Sequence, residues 1–158
     1  MKKLFLIACM LVNSALTAVV HAKDAALEYI ESFKDLAVDA MHQTKIPASV
    51  ILAIAMMESA NGNSRVCRFL KNHFGMRGRN SGKISSSYKE YASDEASFND
   101  FIRVITGKKF YMNAIFITDA HHWVTSIAKT GYSEAPTVWT GKIFKTIKQY
   151  NLAAYDKM

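Results

Sequence analysis

Apolar residues recur along the chain with helical spacing, and the polar stretches between them are rich in Gly, Asn and Ser. Leu27, Ile30, Phe33, Leu36 and Ala40 mark one face of a helix predicted from about Ala25 to Met41. "TKIP" interrupts it, and Pro47, tolerated in a first turn, opens a second helix over about Ala48 to Ala60. That second helix is apolar on nearly every side, the pattern of a helix at the centre of a domain. "NGN" stops it, with Gly62 able to take the left-handed conformation. A short helix is expected over Ser64 to Lys71. "SDEASFNDFIRVITG" and "DAHHWVTSIAKTG" each open on a capping residue, Ser93 and Asp119, and close on a glycine, Gly107 and Gly131. Asp94 and Glu95 add negative charge at the positive end of the helix dipole. A last helix is predicted over about Thr137 to Tyr150.

Between the third and fourth helices, "NHFGMRGRNSGKISSS" predicts loops around a small β-hairpin, with "SYKEYAS" as a strand. No internal repeat, low-complexity tract or linker divides the chain. The expected fold class is mostly α, one helical domain with a small β-hairpin lobe.

The first 22 residues change the picture of where the domain starts. "MKK", the apolar run "LFLIACMLVNSALTAVV" and the closing "VHA" form an export signal, which leaves a domain over residues 23–158. Asn13 and Ser14 within the run, and its cleavable end, argue against a permanent membrane span. "LIAC" also resembles a lipobox ending at Cys9, the alternative of a lipidated protein, but the apolar run continues past it. Loss of Lys2 and Lys3 with the leader lowers the formal charge from +7 to +5. A basic exported protein suits an anionic polymer or envelope surface, periplasmic or secreted. Scattered lysines and that address argue against nucleic acid.

Cys67 is then the one remaining cysteine, read as a small buried hydrophobe. His121 and His122 are adjacent, face different sides of a helix, and sit in no metal-binding spacing. Neither a metal nor a cofactor is expected.

The candidate chemistry centres on "ILAIAMMESANGNS", where Glu58 ends an unbroken apolar run. Burial disfavours the charged carboxylate and raises its pKa. Such an acid can protonate a leaving glycosidic oxygen. The other account is a surface glutamate at a frayed helix end, paired with Arg65 or Arg68, and helix chemistry alone leaves both standing. A two-carboxylate hydrolysis needs a partner, yet no Asp or Glu lies between Glu58 and Glu90. Glu90 is the nearest candidate, while Asp94 and Glu95 are explained by helix-start electrostatics. Tyr132, after Gly131 in "KTGYSEAP", fits either packing or contact with a reacting sugar.

"IPASVILAIAMMES", "NHFGMRG", "YKEYASDEASFNDF", "GYSEAPTVWTGKI" and "IKQYNL" follow one another over roughly Tyr29 to Leu152. In that order they resemble the glucosaminidase family of peptidoglycan hydrolases, glycoside hydrolase family 73. The resemblance implies a lysozyme-like helical fold and cleavage of peptidoglycan glycan strands after N-acetylglucosamine. It implies Glu58 as general acid, Tyr132 beside the active site, and Asn72, Phe74 and Gly75 as the loop shaping the cleft wall. Relatives often carry a second acid in the hairpin, whereas "RNSGKISSS" here has none. The 2-acetamido group of the substrate, oriented by Tyr132, would then replace it. A lytic transglycosylase using Glu58 as sole acid and base is the nearest alternative, and a non-catalytic glycan-binding protein on the same fold is another.

Overall fold

The computed structural model describes residues 25–158. The export signal predicted over residues 1–22, and the lipobox alternative at Cys9, lie outside the described residues. Seven helices follow in order: α1 (residues 25–44), α2 (Ala48–Ser59), α3 (Arg65–Leu70), α4 (Asp94–Thr106), α5 (Tyr111–Ala114), α6 (Ala120–Ala128) and α7 (Pro136–Gln149). A 3-10 turn over Leu152–Lys157 closes the chain. The short α5 and this turn carry no strong periodicity and were not expected.

α2 is the axis of the domain. Every residue from Ala48 to Met56 is buried, and α7, α6 and the 3-10 turn pack around it. The sequence supplies α2 with no acid in its first turn. Asp156 does so from the far end of the chain, accepting from the Ser49 backbone N–H at 2.8 Å and the Ser49 hydroxyl at 2.7 Å. The first of those bonds satisfies a buried first-turn N–H that has no partner within the helix, and Asp156 brings negative charge to the positive helix end.

Three consecutive left-handed residues, Ala60, Asn61 and Gly62, turn the chain out of α2. The Ser59 hydroxyl accepts from Gly62 N–H, and Ser64 then caps α3 through Cys67 N–H. The predicted caps of α4 and α6 form: Ser93 accepts from Ala96 N–H, and Asp119 from His121 and His122 N–H. Gly107 ends α4 without a left-handed turn, at φ −78°.

The expected β-hairpin lobe is the correction. Among the described residues there is a single antiparallel bridge, Arg77 to Tyr88, and no strand; "SYKEYAS" is loop up to the start of α4. The Asn80 amide spends itself on Ser86 O and Tyr88 O, and its carbonyl on Gly82 N–H. Side chains of this kind offer the backbone an alternative to ladder pairing. Of residues 79–87 only Ile84 is buried, too little apolar surface to hold two strands on the domain.

A run of aromatic rings ties this loop region to the helices. Phe74 stacks on Phe101 at 4.2 Å and meets Phe98 edge-on at 4.9 Å. Tyr132 meets Phe101 edge-on and lies against Trp139. Asp100 on α4 accepts from Lys89 Nζ and the Tyr91 hydroxyl, which anchors the far end of the loop.

Candidate active site

Where α2 leaves the core its last turn changes character. Met57 and Glu58 are partly exposed while Ser59 behind them is buried. Glu58 therefore sits on the wall of an open cleft of about 730 Å3. The other walls are the loop at Gly75, the Arg77–Tyr88 pair, the Gly131–Ala135 turn and the first turns of α7.

Glu58 Oε1 accepts a 2.8 Å hydrogen bond from Trp139 Nε1. Burial pushes the Glu58 carboxyl above the usual carboxylate range, against the Trp139 bond and the Lys142 charge, which both pull it down. Its position in the last turn of α2, at the negative end of the helix dipole, acts in the same sense as burial. The result is a carboxyl that holds its proton to higher pH than an exposed glutamate. Neither Arg65 nor Arg68 forms an ion pair with it, so the frayed-surface account of Glu58 does not describe the structure.

Glu58 Oε2 faces Gly75. A β-carbon built on Gly75 would stand 3.5 Å from that oxygen, and Gly75 has φ +65°, a left-handed value favouring glycine. Glycine here leaves the oxygen open to the cleft.

The loop that delivers Gly75 is held from behind. Asn72, fully buried, donates to Met76 O and Lys89 O and accepts from Met76 N–H. The Tyr132 hydroxyl donates to Phe74 O at 2.9 Å. Burial, then the nearby Glu58 and Tyr91, push the Tyr132 phenol well above its ordinary value, so it stays a donor. Of the three residues that resemblance assigned to substrate binding, Gly75 lines the cleft; Asn72 and Phe74 lie beneath it and fix its position. Tyr132 does both.

Glu90 is not brought to the cleft. Its carboxylate accepts from Ser81 N–H at 2.7 Å and pairs with Lys83, which together hold it at about 2. It closes its own loop and lies outside the residues lining the Glu58 cleft.

Cys67 and His73 make contact, with Asp94 beyond them, but the arrangement is not a nucleophile. Both His73 ring nitrogens are taken, Nδ1 by the Tyr29 hydroxyl and Nε2 by Asp94. Burial, aided by the Asp94 charge, pushes the Cys67 thiol up to about 12. A protonated, buried thiol is inert. Among the described residues no group of His, Cys, Asp or Glu could hold a metal ion.

Sequence reasoning missed Trp139, Lys142, Arg77, Tyr88 and Glu134, all on the cleft. One signal existed: Pro136 starts α7, and Trp139 and Lys142 follow at i, i+3 on one helix face. Nothing in the spacing says that this face meets α2.

A family model described as Glucosaminidase: Mannosyl-glycoprotein endo-beta-N-acetylglucosaminidase matches residues 34–152. No curated protein matches the chain by sequence. Among solved structures the chain is similar to an N-acetylmuramoyl-L-alanine amidase from Staphylococcus aureus, at 22% identity and TM-score 0.72. That match covers 84% of this chain and 44% of the other, so this chain spans less than half of the amidase chain. It is similar to the catalytic domain of the autolysin Auto from Listeria monocytogenes, at 22% identity and TM-score 0.66, over 83% of this chain and 87% of that one. It is also similar to the glycoside hydrolase domain of FlgJ from Salmonella typhimurium, at 21% identity and TM-score 0.65, over 82% and 90%. Identities this low establish a shared fold.

Proposed function

The chain belongs to the glucosaminidase family, and from that premise we propose that it is an exported peptidoglycan hydrolase cleaving the glycan strand after N-acetylglucosamine. The single observation that carries this is Glu58: a partly buried carboxyl with a raised pKa, one oxygen held by Trp139, the other open to the cleft. Glu58 is the general acid. Its proton passes from Oε2 to the glycosidic oxygen of the leaving sugar, while the Trp139 bond keeps the carboxyl aimed. Tyr132 supports the transition state by fixing the Phe74 carbonyl, and with it Gly75, against Glu58.

The walls suit a glycan. Tyr88, half-buried on the cleft wall, offers an aromatic face, and Arg77 and Lys142 offer positive charge to an anionic wall polymer. The fold of the autolysin and FlgJ domains supports the same substrate class. The leader over residues 1–22 supplies the route to the cell wall.

Purified sacculi digested with the protein and analysed by mass spectrometry test this. Fragments with N-acetylglucosamine at the reducing end are expected. Anhydro-muramic ends would assign the protein to the transglycosylases instead, and binding without release would make it a non-catalytic glycan-binding protein.

A further inference from the structure

We propose that Glu134 is the second carboxylate of the cleft and is the general base that activates the attacking water. This rests on Glu58 being the general acid of a glycan hydrolase.

Among the described residues, two acids line the cleft, Glu58 and Glu134. Other acids of the domain are spent elsewhere: Glu90 on Ser81 and Lys83, Asp100 on Lys89, Tyr91 and Arg103, Asp119 on the first turn of α6, Asp156 on Ser49. Glu134 by contrast is exposed and makes no hydrogen bond or ion pair with the protein among the described residues. Its backbone is nevertheless held. Tyr132, two residues before it, is bonded to Phe74 O, Ser133 Oγ accepts from Ala135 N–H, and Pro136 begins α7. The carboxylate thus projects from an anchored turn on the same cleft as the acid.

The two environments divide the labour. Glu58 is partly buried, and burial favours its protonated form; Glu134 stands in solvent with no protein partner on its carboxylate. In the reaction the water oxygen bonds to C1 of the N-acetylglucosamine as the bond from C1 to the leaving oxygen breaks. Glu134 takes the water proton, and Glu58 gives its own to the leaving oxygen. The products are a new reducing end of inverted, α configuration and a free hydroxyl on the leaving sugar. Exchange with solvent then returns the two carboxyls to their starting states. An open cleft of about 730 Å3 leaves space for a water beside the bound glycan.

The test compares wild type with Glu134→Gln and Glu134→Ala on purified glycan chains. Proton NMR in the first minutes reads the configuration of the new reducing end. The α anomer is expected from wild type. Glu134→Gln is expected to lower kcat about 10²- to 10⁴-fold with KM little changed. Sodium azide is expected to restore turnover to Glu134→Ala with α-glycosyl azide as product. Thermal melting of both variants should match wild type, because the side chain is exposed and unbonded. A first-formed β anomer, an anhydro product, or a Glu134→Gln variant within about tenfold of wild type overturns the proposal. If wild type releases no fragments at all, the hydrolase assignment falls with it. If wild type cleaves and Glu134→Gln is unimpaired, the Glu134 proposal alone falls.

Discussion

Asn72 tests the account of how the cleft is built. Its side chain makes three hydrogen bonds inside the protein: Nδ2 to Met76 O and to Lys89 O, each 2.8 Å, and Oδ1 from Met76 N–H at 3.0 Å. Asn72→Ala deletes all three. Met76 O keeps one partner, the Lys89 N–H at 2.8 Å, but Met76 N–H and Lys89 O have no other. Two orphaned backbone groups at about 1–3 kcal/mol each, eased by water entering the loop, predict a loss of about 2–4 kcal/mol. For a domain of this size that is a fall in Tm of roughly 5–15 °C. Asn72→Asp preserves the acceptor for Met76 N–H but sets a carboxylate oxygen against two carbonyl oxygens. It should be worse than Ala at pH 7, and the difference should narrow at pH 4, where a protonated carboxyl regains one donor. Urea unfolding of the three proteins at both pH values reads this. A loss below about 1 kcal/mol for Asn72→Ala, or an innocuous Asn72→Asp at pH 7, would refute the clamp.

Two further substitutions probe the site itself. Gly75→Ala places a methyl group 3.5 Å from Glu58 Oε2 at a left-handed φ, costing about 1–2 kcal/mol of stability and, by covering that oxygen, at least tenfold in turnover. Equal effects on turnover and on folded fraction would leave the oxygen without its assigned role. Trp139→Phe removes the donor to Glu58 Oε1, a bond that favours the ionised carboxylate. The Glu58 pKa should therefore rise further, so the alkaline limb of the pH–rate profile moves to higher pH while the maximal rate falls about tenfold. A limb that moves to lower pH contradicts the sign.

Much of the fold was legible because single segments carried it. From Val50 to Met57 α2 is apolar without a break and leaves no polar face, so its central place followed from its own residues, and Ser93 and Asp119 announced their helices by cap chemistry. The loop over residues 77–91 was misread because Asn80 and Glu90 fold it with side-chain bonds that no alternation pattern records. Glu90 looked like a catalytic partner for the same reason: its real partners, Ser81 and Lys83, are invisible in one dimension. Glu58 could be singled out from its position, but its environment could not be decided. Trp139 and Lys142 act on it from about 80 residues away through the packing of α7 on α2, and Glu134 joins the same cleft from the turn before α7. The segment "NHFG" was legible as a motif, although only the structure separates Gly75 on the cleft from Asn72 and Phe74 beneath it.

The proton on Glu58 is the centre of the account, and replacing that carboxyl with an amide isolates it. Glu58→Gln keeps the shape of the side chain and an oxygen to accept from Trp139 Nε1, and loses the proton that moves. The measurement is the rate of fragment release from purified sacculi by wild type and Glu58→Gln, with circular dichroism showing both folded. The account predicts a loss of about 10²- to 10⁴-fold at the pH optimum. Equal rates for the two proteins would contradict it.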